Sequence, residues 1–374
     1  MKEYDVIIVG AGLFGATVAR ICTNHGLKCL ILEKRNSIGG NCRDKIIEGI
    51  NVHLYGPHIF HTSNKEVWEF ANRYTQFNNF RYSPLACDGH RIFNLPFNMN
   101  TFYQLYGTSS PEEAAALIKT DGGGQNESEA MTLEEKAIAM VGRKVYEVLV
   151  KGYTEKQWGR NCRELPGDII SRLPLRFTFD NNYFNDIYQG IPIGGYHNWI
   201  SNILSDIEIK KCVDFNENPF FWIQKTKKVV HTGSIDEFFK YKFGVLDYRS
   251  LYWEHEILDT DNFQGVAAVN YTTHNVPYTR IIEHKHFEFG TQDNTVISKE
   301  YPQTWQTGNE RYYPITNSEN RNKHAQYLDL AHSTMPDIVF GGRMGFYRYL
   351  DMDDTIAEAF TIAHNIISHF RRAN

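Results

Sequence analysis

The chain opens with a glycine-rich turn that lies between an apolar run and a helical pattern. Residues 4–9 are mostly apolar, residues 10–15 read Gly-Ala-Gly-Leu-Phe-Gly, and a helical pattern follows over residues 16–25. A strand, a tight glycine turn and a helix in this order form the beginning of a Rossmann-like dinucleotide-binding unit. The sequence therefore predicts an α/β fold that contains such a domain.

The glycines of this turn have separate mechanical roles. Gly10 permits the tight turn, Gly12 lets backbone amides approach a pyrophosphate, and Gly15 allows the helix to pack closely on the strand. The N-terminus of the helix adds a positive dipole, which attracts phosphate. The residues of the turn that we predict to bind cofactor are Gly10, Gly12, Leu13, Phe14 and Gly15.

The next segment favours FAD over NAD. A second apolar strand ends in Glu33, 18 residues beyond Gly15, where an acid accepts hydrogen bonds from the adenosine ribose. A glycine pair then follows, as is typical of one group of FAD proteins, and no second glycine fingerprint occurs in the chain. The predicted cofactor residues of this segment are Glu33, Lys34, Gly39, Gly40 and Asn41.

The composition excludes several classes of function. Lys and Arg total 39 and Asp and Glu total 44, so a net charge of −5 does not provide the basic field of a nucleic-acid-binding protein. No apolar stretch reaches the roughly 20 residues of a membrane span, and the cysteines lack a C-x-x-C pair, so we expect a cytoplasmic protein with reduced thiols. The aromatic content of 14% fits either a pocket lined with rings or an aromatic-rich core.

The rest of the chain predicts two further domains. Capping residues at Ser110 and Thr132 indicate helix starts, and strand-like runs occupy residues 176–179, 228–232, 266–271 and 284–289. Residues 229–233 and 338–342 could rejoin the first sheet. We therefore expect a discontinuous FAD-binding domain (1–80, 195–245 and 315–374), a helical domain (100–165) and an antiparallel-sheet substrate domain (81–99, 166–194 and 246–314).

Six segments resemble the prokaryotic UDP-galactopyranose mutases. They are YGPHIFHT (55–62), FNLPFNMN (93–100), GYTEKQW (152–158), RFTFDNNY (176–183), GIPIGGY (190–196) and VPYTRIIEH (276–284). The resemblance implies an isomerase that interconverts UDP-galactopyranose and UDP-galactofuranose with no net redox change, with N5 of reduced FAD as the nucleophile. It also implies a homodimer that forms through the helical domain.

The same resemblance implies roles for individual residues. Arg172 and Arg280 would bind the diphosphate, with Arg249 as a weaker third candidate, because the planar guanidinium suits bidentate phosphate contacts. His58 would lie against the flavin and His61 near its N5 edge. The implied residues around uridine, diphosphate and sugar are Tyr153, Trp158, Tyr183, Asn270, Glu300, Tyr313, Tyr349 and Asp351. The implied residues at the flavin near the C-terminus are Arg343, Asp351 and Met352.

Other interpretations remain open at this point. The H-x-x-H spacing of His58 and His61 could suggest a metal site, but no matching carboxylate or Cys spacing follows and we predict none. The DMDD sequence at 351–354 could hold a nucleotide sugar in a glycosyltransferase or binding protein. An amine-oxidase-type flavin oxidase would share the N-terminal fold. Pro57 departs from the Ala of the family pattern and stiffens the loop before His58.

Overall fold

A computed structural model describes residues 2–124, 131–170 and 173–373. The predicted phosphate ligand Arg172 lies outside the described residues. Within these ranges, no helix combines the length and the apolar character that crossing a membrane requires.

The strands lie mainly in two sheets. In chain order they are β1 (Tyr4–Val9), β2 (Cys29–Glu33), β3 (Asp44–Ile47), β4 (Ile50–His53), β5 (Phe60–Thr62), β6 (Leu85–Cys87), β7 (Ile92–Asn94), β8 (Tyr188–Gly190), β9 (Glu208–Lys211), β10 (Thr226–His231), β11 (Tyr248–Leu258), β12 (Ala268–Tyr271), β13 (Arg280–Glu283), β14 (Thr295–Thr304), β15 (Tyr313–Pro314) and β16 (Ile338–Phe340).

The helices pack on both sheets and form a separate cluster in the middle of the chain. They are α1 (Leu13–Asn24), α2 (Lys65–Asn72), α3 (Met99–Tyr106), α4 (Pro111–Thr120), α5 (Leu133–Val141), α6 (Arg143–Val145), α7 (Lys151–Trp158), α8 (Gly195–Ile203), α9 (Pro219–Ile223), α10 (Ile235–Phe238), α11 (Ser318–Thr334), α12 (Gly342–Gly345) and α13 (Met352–Ala373). Short 3-10 or π-helical turns cover Gly40–Cys42, Tyr146–Val150, Cys162–Glu164, Gly167–Ile170, Phe215–Glu217 and His284–Glu288.

The first sheet is parallel and is covered by helices on both faces. Its strand order is β16-β10-β1-β2-β9. Val6 and Ile8 pack with residues of α1 and α13, whereas Ile7 packs on the opposite face with Tyr327 of α11, as the two-residue period of a strand requires. The predicted α/β fold is therefore confirmed, and β10 and β16 join the first sheet as expected.

The second sheet is almost entirely antiparallel, with the order β15-β11-β14-β13-β12-β6-β7. The pair of β6 and β12 is its parallel exception. Helices α3 to α7 have a core of their own, which includes Phe102, Ile118 and Leu133. This helical cluster and the second sheet supply two facing walls of the candidate site described below.

Three predictions about local structure were wrong in detail. The first helix begins at Leu13 rather than at residue 16, because the helical turn starts directly after Gly12. Residues 176–179 form no strand, since the Arg176 side chain donates to carbonyl oxygens of Asn182 and Tyr183 and holds an irregular loop. Residues 284–288 form a 3-10 helix instead of a strand, and this helix ends at Phe289, where φ is +55°.

Both predicted helix starts are confirmed. The Ser110 side chain accepts from the Glu113 backbone N–H at 3.3 Å, although Glu113 itself turns to the Thr108 hydroxyl. Thr132 and Glu135 form a complete capping box at the start of α5.

Candidate active site

The glycine turn between β1 and α1 combines two crowded positions with one open position. A Cβ on Gly15 would lie 2.1 Å from the Gly10 carbonyl oxygen, and one on Gly10 would lie 2.2 Å from Thr232 Oγ1. A Cβ on Gly12 would meet nothing nearer than Gly40 Cα, at 3.7 Å. Gly12 is also the N-cap of α1 and offers no side chain to the amides of the first turn, which leaves them for an anionic ligand.

Glu33 ends β2 beside this turn and is buried. Its carboxylate accepts the Ala11 N–H at 2.8 Å and the Arg35 N–H at 2.8 Å. Arg35 also has one buried guanidinium nitrogen, Nη1, without a hydrogen-bond partner. Polar groups of this kind suit the ribose and phosphate groups of a dinucleotide. Lys34, which follows, is exposed.

The glycine pair, Gly39 and Gly40, packs against the glycine turn. Together with Glu33, the pair and the turn form one wall. Gly39 is bridged to Gly12 and donates its N–H to the Ala11 carbonyl oxygen at 2.9 Å. Gly40 lies so close that a Cβ there would be 3.1 Å from Gly12 Cα. Leu13 and Phe14 are buried at the start of α1. The residues predicted to bind the cofactor at the N-terminus are therefore in one place, and they fit a dinucleotide.

A cavity of about 970 Å³ adjoins this wall, which is large enough for a nucleotide sugar. The predicted residues that line it are Asn41, His58, His61, Tyr153, Trp158, Tyr183, Asn270, Arg280, Tyr313, Arg343, Tyr349, Asp351 and Met352. They come from the N-terminal segment before and within β5, from the helical cluster, from the loop before β8, from the second sheet, and from the segment that leads into α13. Arg249 and Glu300 do not line it.

Arg280 stands in a row of side chains that crosses the second sheet. Asn270 on β12 pairs in register with Arg280 on β13, which pairs with Glu300 on β14. Arg280 donates through Nε and Nη2 to Glu300 Oε2 at 2.8 and 2.6 Å. Burial alone would lower the pKa of the Arg280 guanidinium, but the Glu300 carboxylate raises it well above its ordinary value. The Arg280 guanidinium therefore stays protonated, with Glu300 as its counter-charge.

The structure corrects the expected role of Glu300. Its side chain is fully buried, and its second oxygen accepts from the Thr279 hydroxyl at 2.6 Å. Both oxygens are thus occupied by Arg280 and Thr279, behind the cavity wall. Glu300 therefore orients Arg280 and does not line the cavity, in contrast to its implied place beside the substrate.

Arg249 is also placed differently from its expected role as a phosphate ligand. Its Nε donates to the Gln157 carbonyl oxygen at 2.9 Å and its Nη1 to Thr304 Oγ1 at 3.0 Å. Burial, with a smaller contribution from Arg160, lowers its pKa. Arg249 therefore supports the C-terminal end of α7 from outside the cavity.

His58, in the loop after β4, and His61, on β5, have different partners. His58 Nδ1 lies 2.7 Å from the Gly56 carbonyl oxygen, and burial lowers the pKa of His58 to about 4, so this ring is neutral at pH 7. His61 Nδ1 lies 2.8 Å from Asp186 Oδ2, and its ring stacks on Phe184 with centroids 3.7 Å apart. Pro57 precedes His58 and lines the cavity too.

Aromatic hydroxyl groups surround the cavity. Tyr313 and Tyr349 have ring centroids 5.9 Å apart, and the Arg343 guanidinium lies 4.7 Å from the Tyr349 ring. Burial raises the pKa of Tyr153, of Tyr183 and of Tyr313, so these hydroxyls stay protonated and can donate hydrogen bonds at neutral pH. The aromatic residues that are abundant in the sequence therefore line a cavity as well as fill the core.

Sequence reasoning missed many residues at this site, and three of them illustrate why. Gln157 and Tyr82 line the cavity, and Asp186 holds His61. Gln157 could have been found, since it lies four residues after Tyr153 on one helical face. Asp186 could not, because its contact with His61 depends on the pairing of β5 with β8. In the described ranges, no group of three or more His, Cys, Asp or Glu side chains is arranged to hold a metal ion.

Comparisons with known proteins agree with this geometry. Residues 148–349 match the family model of UDP-galactopyranose mutase, and residues 8–74 match that of an NAD(P)-binding Rossmann-like domain. A probable UDP-galactopyranose mutase of Klebsiella pneumoniae is 39% identical over 98% of this chain and 96% of its own length. A dTDP-fucopyranose mutase of Escherichia coli is 38% identical over 97% of this chain and 98% of its own length.

A solved structure of reduced UDP-galactopyranose mutase has a similar fold. Its TM-score is 0.76 at 13% sequence identity, over 98% of this chain and 94% of the other. At this identity the likeness extends to the fold alone. It covers both sheets and the helical cluster.

Proposed function

The chain belongs to the UDP-galactopyranose mutase family, and we propose that it interconverts UDP-galactopyranose and UDP-galactofuranose with FAD as its cofactor. The family match favours an isomerase over the flavin oxidase and glycosyltransferase interpretations. The observation that carries the proposed substrate is Arg280, a charge-paired guanidinium in a cavity lined by tyrosine hydroxyls. Such a wall suits a diphosphate joined to a nucleoside and a sugar.

The wall around Gly12 would hold FAD. The amides at the start of α1 would bind the pyrophosphate, and Glu33 would accept hydrogen bonds from the adenosine ribose. His58, Arg343 and the start of α13 would face the flavin ring. When bound and reduced, the flavin would supply the nucleophile for the anomeric carbon.

The remaining residues would bind the substrate and hold its leaving group. Arg280 would bind the diphosphate, whose negative charge increases as the anomeric bond breaks. Tyr313 and Tyr349 would donate hydroxyl hydrogen bonds to the same group. Arg172, which lies outside the described residues, is assigned to this group by the family resemblance alone. On the nucleoside side, Tyr153 would stack on the base. Asp351 would contact the sugar.

The comparisons support UDP as the nucleotide. The matched family model and the relative from Klebsiella pneumoniae are both named for UDP-galactopyranose. One relative is named a dTDP-fucopyranose mutase, so dTDP-fucose is the competing substrate.

The test is product analysis with two furanose substrates. Protein with dithionite-reduced flavin is incubated with UDP-galactofuranose or with dTDP-fucofuranose, and the products are separated by chromatography. We expect rapid conversion of UDP-galactofuranose and slow conversion of the deoxynucleotide. Preferential turnover of dTDP-fucofuranose would refute the nucleotide assignment, and no turnover of either substrate would refute the proposed activity.

We also propose the three-part domain division given above and a homodimer. Exposed aromatic side chains near the helical cluster, Tyr103, Phe177 and Phe179, support a protein contact there. Light scattering on the purified protein tests the dimer, and a monomer at micromolar concentration would refute it.

A further inference from the structure

Two elements face each other across the nucleoside end of the cavity. Helix α7 carries Tyr153 and Trp158 into it, and the hairpin of β12 and β13 carries Asn270 and Arg280. The distance between these walls determines whether a base and a diphosphate contact both at once. Whatever fixes that distance controls substrate binding without touching the substrate.

Lys156 on the back of α7 reaches the hairpin. Its Nζ lies 2.9 Å from the Tyr271 carbonyl oxygen, 2.8 Å from that of Tyr278 and 3.4 Å from that of Val276. Tyr271 directly follows Asn270, and Val276 and Tyr278 lie shortly before Arg280. An ammonium bound by three carbonyls makes charge-assisted hydrogen bonds. This contact therefore holds together the two ends of the loop that joins β12 to β13.

No carboxylate competes for this ammonium in the part of the chain that the structure describes. The adjacent Glu155 lies 3.2 Å from His274 Nε2 instead. Burial lowers the pKa of Lys156 to about 8, so holding the charge here opposes folding. A residue that served only stability would more easily be an apolar side chain of similar length.

Helix α7 and the hairpin already pack closely at a point away from the lysine. A Cβ on Gly152 would lie 2.1 Å from the Thr272 carbonyl oxygen. Gly152 therefore permits the close approach. One helical turn later, Lys156 fixes the position of the hairpin relative to the helix. Packing at Gly152 and strand pairing of β12 and β13 would keep the fold if Lys156 were replaced.

We propose that Lys156 is a positioning residue that holds the Tyr153 wall at a fixed distance from the Asn270 and Arg280 wall, and so sets the affinity for the nucleoside diphosphate. The proposal rests on the proposed function. It assigns Lys156 an effect on substrate binding rather than on the chemical step, because the hydrogen bonds of its ammonium to described residues go to three backbone carbonyls that do not line the cavity.

The test compares Lys156→Met and Lys156→Arg with a matched control, Lys144→Met. Lys144 also donates to a carbonyl, that of Leu105 at 2.8 Å, but it lies on α6 and does not line the cavity. The measurements are the Kd of UDP by calorimetry and kcat and KM for UDP-galactofuranose, with flavin spectrum and Tm as folding controls.

We expect Lys156→Met to raise the Kd of UDP and KM by about tenfold or more with kcat nearly unchanged, as for a misplaced binding wall. Lys156→Arg keeps the charged donors and should recover most of the affinity, and Lys144→Met should behave as wild type. Unchanged Kd and KM in Lys156→Met, or an equal effect in Lys144→Met, would overturn the proposal. If Lys156→Met fails to fold, Lys156→Gln, which is too short to reach the hairpin, takes its place with the same expectations.

The design separates this inference from the proposed function. A wild-type protein that binds UDP but converts no UDP-galactofuranose would refute the activity, while the UDP affinities of the variants would still decide the role of Lys156. Normal wild-type activity with unaltered Lys156 variants would refute the inference alone.

Discussion

At the scale of single residues, Arg280 depends on a carboxylate that is itself fully buried. Glu300 accepts two hydrogen bonds from Arg280 and one from Thr279. Removing one member of such a pair leaves the other charge buried and unpaired. The resulting loss of folding stability is larger than the net stability that the intact pair contributes. Glu300, which does not line the cavity, therefore orients the arginine that would bind the leaving diphosphate.

Glu300→Gln tests this dependence. Glutamine keeps the shape and one acceptor oxygen but loses the charge that holds Arg280, so we expect kcat/KM to fall at least tenfold and the free energy of unfolding to fall by about 1 to 3 kcal/mol. Steady-state kinetics and urea unfolding measure the two effects. Wild-type kcat/KM in a folded variant would show that Arg280 does not need Glu300.

The sequence identified Arg280 and Glu300 but not their relation. Twenty residues separate them, and their contact exists because β13 and β14 pair in this register. Register is set by turns and by packing of the whole sheet, which a single sequence does not display. The same reason explains why Asp186 was missed and why Arg249 was assigned to the cavity.

At the scale of elements, the strand, turn and helix at the N-terminus were predictable except for the residue at which the helix begins. Their signals are local: an apolar run, three glycines at fixed spacing and a terminal acid. The weaker predictions fell on irregular segments, such as residues 176–179, where side-chain hydrogen bonds to the backbone decide the path. Alternating apolar residues could not distinguish a strand from the 3-10 helix at His284–Glu288.

The glycine turn gives a prediction that separates folding from cofactor binding. Gly12 has φ of −76°, and a Cβ there would meet no atom nearer than Gly40 Cα at 3.7 Å. Gly12→Ala should therefore fold normally and lose bound FAD, because the methyl group would occupy the space proposed for the pyrophosphate. Gly15→Ala would place a Cβ 2.1 Å from the Gly10 carbonyl oxygen and should lose stability itself.

Flavin absorbance per protein and Tm of the apoproteins measure both variants. We expect Gly12→Ala to retain the Tm of the wild-type apoprotein and Gly15→Ala to melt at a clearly lower temperature. A Gly12→Ala protein with full FAD content would contradict the placement of the pyrophosphate.

At the scale of the whole molecule, buried neutral histidines make stability depend on pH. His231 and His284 are each 1% exposed, and burial lowers the pKa of His231 to about 4 and that of His284 to about 3. Unfolded histidine titrates near pH 6.5, so below that pH the unfolded state binds more protons than the folded state. Stability therefore falls as the solution is acidified.

The expected loss is about 3 kcal/mol for each of these two histidines between pH 7 and pH 4. Urea unfolding at several pH values measures it. The variant His284→Gln should show a shallower decline over this range than wild type, even if it is less stable at pH 7. Equal slopes in the two proteins would contradict a neutral, buried His284.

The molecule as a whole joins a dinucleotide wall to a charged, aromatic cavity. The glycine fingerprint and the family resemblance predicted both parts, because each rests on short sequence segments. The way in which α7, the hairpin and the first sheet meet around the cavity was not predictable, since it follows from packing between distant segments.

The most direct test of the account is the redox dependence of turnover. Wild-type protein is assayed with UDP-galactofuranose under anaerobic conditions, once with fully oxidised flavin and once after dithionite reduction and removal of excess reductant. The account predicts many turnovers by the reduced protein with no reductant consumed per product, and negligible turnover by the oxidised protein. Equal turnover in the two states, or one equivalent of reductant consumed per product, would contradict it.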